Sequence, residues 1–191
     1  LSSNSEGPLQ WIAGLYYFDQ EADWEWLSST DSTGDGVPDS IVVPSWGNPY
    51  FDPHTSDSIA VFGQLRYELS DELRLVGGLR FNKDEKTFTG DSIPDWDDSA
   101  VLWKTAVEYD QSDDLMLYAS ASTGVRTGGA NDGRVVSRGA DPLYNNEKVI
   151  SYEIGMKSTL LDGDMRLNIS AFVNEYDDVK AQLFAVACSD S

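Results

Sequence analysis

Apolar residues recur at every second position along most of this chain, and the three-and-four spacing of helices fits poorly throughout. The segment DSIAVFGQLRYEL (57–69) is the clearest case. Ile59, Val61, Leu65, Tyr67 and Leu69 share one face, and Gln64, Arg66 and Glu68 take the other. The same alternation marks 10–18, 72–82, 100–109, 114–122, 147–158 and 164–176. In 147–158, Ile150, Tyr152, Ile154 and Met156 lie opposite Ser151, Glu153 and Lys157. In 164–176, Met165, Leu167, Ile169, Ala171 and Val173 lie opposite Arg166, Asn168, Ser170 and Asn174. Seven half-apolar segments of period two predict an all-β protein built from antiparallel strands.

The connections predict how the strands are joined. Short turns fall at 70–71 (SD), 110–113 (DQSD) and 161–164 (LDGD), each suited to a hairpin. Between them lie long acidic stretches, 19–57, 83–98 and 123–146. Short and long connections alternate strictly, as in an up-and-down meander with tight turns at one end and long loops at the other. A transmembrane β-barrel is built in that way, whereas a sandwich has no reason to be. The faces fit the same architecture. One is aliphatic with aromatic residues near strand ends (Trp11, Tyr17, Tyr67, Phe81, Tyr109, Tyr176), and the other carries Arg66, Arg74, Arg80, Lys104, Lys157 and Arg166. A soluble barrel would alternate equally well with its faces exchanged, so period alone does not choose between them.

Strand number limits the reading further. Barrels of this kind in bacteria use even numbers of strands, and seven are found. Either VKAQLFAV (179–186) supplies an eighth that closes against 10–18, or residues 1–191 are part of a larger barrel; the second is the expectation.

Composition narrows the function. The 191 residues hold 33 acidic and 13 basic side chains, a formal net charge of −20, which excludes binding to a nucleic-acid backbone. Aromatic residues at 12% and regular apolar patterning exclude a disordered chain. The one cysteine, Cys188, leaves no intrachain disulfide and no cysteine-cluster metal site. One histidine, His54, in a polar stretch, offers no Ser-His-acid set, and no enzyme is expected. No apolar run is long enough for a membrane helix, and LSSNSEGPLQ carries no signal-peptide pattern.

Three ordered blocks of sequence resemble the barrel of TonB-dependent receptors. They are AVFGQLRYELSDELRLVGGLRFNKDEK, KTAVEYDQSDDLMLYASASTGVRTGGAN and YNNEKVISYEIGMKSTLLDGDMRLNISAFVNEYDDV. The family's Gly-aromatic-Arg-x-Gly-Gly run corresponds to Gly124, Arg126, Gly128 and Gly129, with Val125 in place of the aromatic. Its Tyr-Asn-x-Glu segment corresponds to Tyr144, Asn145 and Glu147, with Asn146 where proline is frequent. Its Tyr-Glu-x-Gly-x-Lys-Ser run corresponds to Tyr152, Glu153, Gly155, Lys157 and Ser158. The likeness spans about residues 10–180. It implies a segment of a large barrel in the cell outer membrane of a Gram-negative bacterium. Plug domain, TonB box and closing C-terminal strands would be absent from residues 1–191. It also implies energy-coupled uptake of a siderophore, metal chelate or oligosaccharide. The partners would be outer-membrane lipid, the small-molecule or oligosaccharide ligand, and the TonB complex through the missing regions.

Candidate sites lie in the long connections. In DSTGDGVPDS (31–40), Asp31, Thr33, Asp35, Val37 and Asp39 follow part of a calcium-loop spacing, with Gly36 at the bend. Position three is Thr33, and position twelve is Val42, where a glutamate belongs; the competing reading is a solvated Asx turn. Trp24, Trp26 and Trp46 stand among acids in 19–57, where they would stack on a sugar ring or planar chelate, or else pack the loop. Arg126 would meet an anionic ligand or pair with Glu147 or Asp132. Arg66, Arg74, Arg80, Glu108, Glu153 and Arg166 are expected to pair across strands. The alternative to a receptor is a soluble, acidic, calcium-stabilised β-domain for adhesion or carbohydrate binding.

Overall fold

Alternation over seven segments becomes one antiparallel sheet of seven long strands. The computed structural model describes residues 1–3, 7–22, 28–30, 33, 35, 40–42, 54–88, 94–131, 136 and 139–180. In chain order the strands are β1 (Leu9–Ala22), β2 (Ser28–Thr30), β3 (Ser40–Val42), β4 (His54–Glu68), β5 (Leu73–Phe88) and β6 (Trp96–Ser112). They continue with β7 (Leu115–Arg126), β8 (Gly129–Ala130), β9 (Leu143–Tyr144), β10 (Glu147–Leu160) and β11 (Met165–Asp177). The large sheet has the order β1-β4-β5-β6-β7-β10-β11, a meander without crossovers. The short pairs β2-β3 and β8-β9 sit inside two of the long connections. Among the described residues no helix is long and apolar enough to cross a membrane, which leaves crossing by strands untouched.

Register aligns the apolar positions into continuous rows. Trp11 faces Leu65, Leu15 faces Val61, Val61 faces Phe81 and Phe81 faces Val101. Further along, Tyr152 faces Ala121 on one side and Val173 on the other, and Ile154 faces Ala119 and Ala171. This face is uncovered: Leu15 is 83% exposed, Leu79 64% and Ile154 63%. The opposite face holds the charges, and there Arg74 keeps only 11% of its side chain exposed. The described buried set is Ala60, Val76 and Trp96 with the polar Asn82, Asp84 and Asn146. A soluble sheet buries its apolar face against a second layer; this sheet does the reverse. Its apolar positions on each strand span about nine residues, the length needed to cross hydrocarbon at a tilt. Register moves one aromatic off that face: Tyr176 pairs with Val149 and so lies on the charged side.

The strands outrun the alternation that predicts them. β5 has 16 residues and β6 has 17, so the connection placed at 83–98 shrinks to the stretch between Phe88 and Trp96. Beyond Phe81 both faces become charged, and backbone pairing continues in solvent where no hydrophobic pattern records it. The second row past Phe81 on the apolar side sets Asp19, Asp57, Glu85 and Asp97 directly opposite one another across four strands, with Glu85 also ion-paired to Lys83.

The short turns are tight. Ser70 Oγ accepts from the backbone N–H of Leu73 at 3.1 Å between β4 and β5. Between β6 and β7 the turn is Asp113–Asp114 rather than 110–113, because β6 continues to Ser112 through a register irregularity after Asp110. Between β10 and β11, Leu161, Asp162 and Gly163 all have positive φ, a hand that suits a tight hairpin and that glycine adopts freely. Residues 181–186 lie outside the described set. Val179 and Lys180 have already left the sheet, and β11 does not pair with β1. The outer edge of β1 is met instead by residues 1–3, where Ser2 bridges Ile12.

Candidate functional site at the long-loop end of the charged face

Two clusters organise the charged face. Near the short turns, Glu108 accepts from Arg66 Nη2 at 3.1 Å and from Arg74 Nε at 3.2 Å. Arg74 also grips both oxygens of Asp110, with Nη2 2.7 Å from Oδ1. Two cations thus meet two carboxylates across β4, β5 and β6, as the pattern predicts for these residues. The other charges named for pairing behave differently. Arg80 Nε donates to Asn82 Oδ1 at 2.5 Å, and its guanidinium lies 5.0 Å from the Tyr16 ring and 5.8 Å from Phe62. Glu153 accepts from the Tyr118 hydroxyl, and Arg166 joins none of the described ion pairs.

At the long-loop end the chain is tied by backbone groups. Lys86 on β5 faces Trp96 on β6, with its ammonium 5.3 Å from that ring. The same Nζ donates to the carbonyl of Gly128 at 2.6 Å and to Thr127 Oγ1 at 3.2 Å. Asn146, 2% exposed, accepts from the Gly128 N–H at 2.7 Å and donates to Asp98 Oδ2 at 2.6 Å. A proline at 146 would supply neither bond. Gly128 is forced by the packing: a Cβ there would stand 2.3 Å from the Tyr144 carbonyl oxygen and 2.7 Å from Trp96 Nε1. The glycines of GVRTGG therefore serve a packed turn leaving β7.

Past β11 the chain turns back over this same point. Asp178 takes a left-handed φ of 56°. The Lys180 N–H donates to Glu147 Oε2 at 2.9 Å, and its ammonium donates to the carbonyls of Thr127 and of Arg126, the latter at 3.2 Å. The Tyr144 ring lies 4.9 Å from that ammonium. Burial, and next the nearby Arg126 guanidinium, hold the Lys180 ammonium below the usual lysine range; Glu147 opposes them.

Arg126 sits opposite Glu147 in register, but the two make no ion pair. Among the described residues its guanidinium has no hydrogen-bond partner, and the side chain is exposed at the end of β7. Asp132 lies outside the described residues, as do Trp24, Trp26, Trp46, Asp31, Val37, Asp39 and Cys188. Of the calcium spacing only Thr33 and Asp35 are described, both exposed. Sequence does not single out Lys86, Trp96 or Lys180, and it marks Asn146 only as a departure from the family's proline. Lys86 and Trp96 belong to strand extensions, and Lys180 comes into reach only through the turn at Asp178.

A single sheet with its apolar face bare and its charges gathered on the other face is the wall of a membrane β-barrel, charges toward the lumen. Residues 1–190 match the family described as TonB dependent receptor-like, beta-barrel, and the chain belongs to that family. The pesticin receptor of Yersinia pestis is 25% identical over 135 residues, covering 66% of this chain and 20% of that protein. The ferric yersiniabactin uptake receptor FyuA from Yersinia pestis superposes with a TM-score of 0.67 at 18% identity, over 95% of this chain and 28% of that one. The siderophore receptor PiuA from Acinetobacter baumannii gives 0.62 at 16% identity, over 90% and 29%. The chain therefore spans about a fifth of the curated relative and under a third of these structures. Family members are receptors of the Gram-negative outer membrane.

Proposed function

We propose that residues 1–191 form part of the barrel wall of an outer-membrane receptor that imports a scarce, bulky ligand with energy supplied through TonB. The ligand class is a siderophore, another metal chelate or an oligosaccharide. A plug domain, a TonB box and further strands would belong to the rest of the protein. The observation that carries this reading is the inside-out sheet: apolar side chains face outward and paired charges face inward, in a chain of this family. The soluble alternative needs that apolar face covered by a second layer, and none covers it among the described residues.

Within this reading, Arg126 is the wall's contribution to ligand binding. An exposed guanidinium without a carboxylate partner among the described residues, at the long-loop end that this reading makes the external mouth, suits a carboxylate or other chelate oxygen anion in a chain of net charge −20. The test uses the full-length receptor in its own cell. Collapsing the inner-membrane proton gradient should stop accumulation of ligand while surface binding persists. Accumulation that survives the collapse contradicts the proposal.

A further inference from the structure

Three external segments converge on the turn at 126–128, and each arrives with its own bond. The end of β5 brings Lys86, the residue before β10 brings Asn146, and the chain after β11 brings Lys180. All three act on backbone groups of the turn. Lys86 takes the Gly128 carbonyl, Asn146 takes the Gly128 N–H, and Lys180 takes the carbonyls of Arg126 and Thr127. Lys180 has the longest path to its place. The left-handed Asp178 reverses the strand direction, and the chain then crosses the start of β10, where Glu147 receives the Lys180 N–H. Glu147 and Arg126 are lumen-side positions of β10 and β7, so the crossing runs inward over the mouth. Holding Lys180 beside Arg126 sets two cations together, an arrangement that repels and that the carbonyls and the Tyr144 ring offset.

From this geometry we infer that Lys180 is a latch. It holds residues 178–180 across the start of β10 and couples them to the turn at 126–128, so these two described stretches loosen or tighten together. A lysine suits the role because one flexible stem delivers several donors to adjacent carbonyls. Without it, among the described residues, the turn at Asp178 is held by the Glu147 contact alone. The coupling follows from the bonds alone and is independent of which ligand the receptor carries.

Hydrogen exchange on the purified full-length receptor tests the latch, with Lys180→Met and Lys180→Arg compared with the unaltered protein. Local opening sets exchange in such segments. Lys180→Met is expected to speed exchange about tenfold or more both after β11 and at the amides following Arg126, while the core of β5 is unchanged. Lys180→Arg should keep most of the protection at both places. If Lys180→Met loosens only the segment after β11 and leaves 127–131 as protected as before, the coupling is wrong. Should Lys180→Met fail to fold, Lys180→Ala takes its place. It removes the ammonium and keeps the Glu147 contact, and it must loosen residues 178–180 and 127–131 together; unchanged exchange at either place overturns the latch. Failure in either form leaves energy-coupled uptake untouched, because no ligand enters the measurement.

Discussion

The two ends of the lumen face solve one problem by different means. At the short-turn end, Arg66, Arg74, Glu108 and Asp110 neutralise one another across three adjacent strands, two cations against two carboxylates. At the long-loop end, Lys86, Asn146 and Lys180 are satisfied largely by backbone groups, and Arg126 has no ion-pair partner among the described residues. Side-chain pairing in a regular register gives a stiff, electrically quiet wall. Backbone gripping fixes a turn of irregular shape and leaves charge available to whatever enters. A binding surface can be built more readily on the second pattern than on the first, where the charges are committed to one another and only Arg66 Nε is left buried without a partner among the described residues.

Substitutions that exchange these properties should break the contrast. The largest effect is expected at Gly128→Ala, where the new methyl has no room between Tyr144 and Trp96. Overpacking of this kind costs about 1–3 kcal/mol. It should appear as a lowered melting temperature of the purified full-length receptor together with protease cleavage at the external loops. Arg74→Met at the other end strands Asp110 and half-satisfies Glu108. A loss of about 1–2 kcal/mol is expected after allowing for the partial exposure of the acids, with protease resistance of the external loops kept.

Arg126→Ala should leave melting unchanged and weaken an anionic ligand about tenfold, the scale of one charge-assisted contact. Equal affinity of variant and parent by titration would assign Arg126 to structure instead. A smaller gain in stability is expected for Asp57→Asn, which removes one carboxylate from between Asp19 and Glu85. Directly opposed like charges cost about 0.2–1 kcal/mol, so the melting temperature should rise slightly and most at low salt. The smallest effect concerns pH. The folded protein holds Lys180 below the usual lysine range, so the undocked state binds more protons as pH rises from that lowered value to the ordinary one. Docking of the segment after β11 should tighten over that interval and stay at its weaker level below it, read as an exchange protection factor.

Much of the fold was legible because the lipid-facing pattern is simple. Residues such as Ile59, Val61, Leu79 and Ile154 mark the crossings, and the turns at Ser70 and Asp162 mark two hairpins. Strand ends were not legible. Past Phe81 the sheet runs on with charged residues on both faces, and nothing apolar records whether the backbone stays paired. Tyr176 shows the converse: an aromatic at a strand end suggests a girdle, but one residue of parity places it inside. At the mouth, sequence pointed to Arg126 and the glycines and missed their holders. Lys86 and Lys180 lie 40 or more positions from the turn, and only the sheet order and the reversal at Asp178 bring them to it. Asn146 stood out only as a departure from a family proline, and its two hydrogen bonds explain that departure.

The central claim is the sidedness of the sheet, and two neighbouring positions on β5 decide it. In the full-length receptor with Cys188 replaced by serine, single nitroxide labels at Leu79 and Arg80 would be compared in outer-membrane lipid. The account predicts that the Leu79 label collides mainly with oxygen, which concentrates in hydrocarbon, and the Arg80 label mainly with a water-soluble nickel chelate. The reverse order, or chelate contact at both positions, would contradict it.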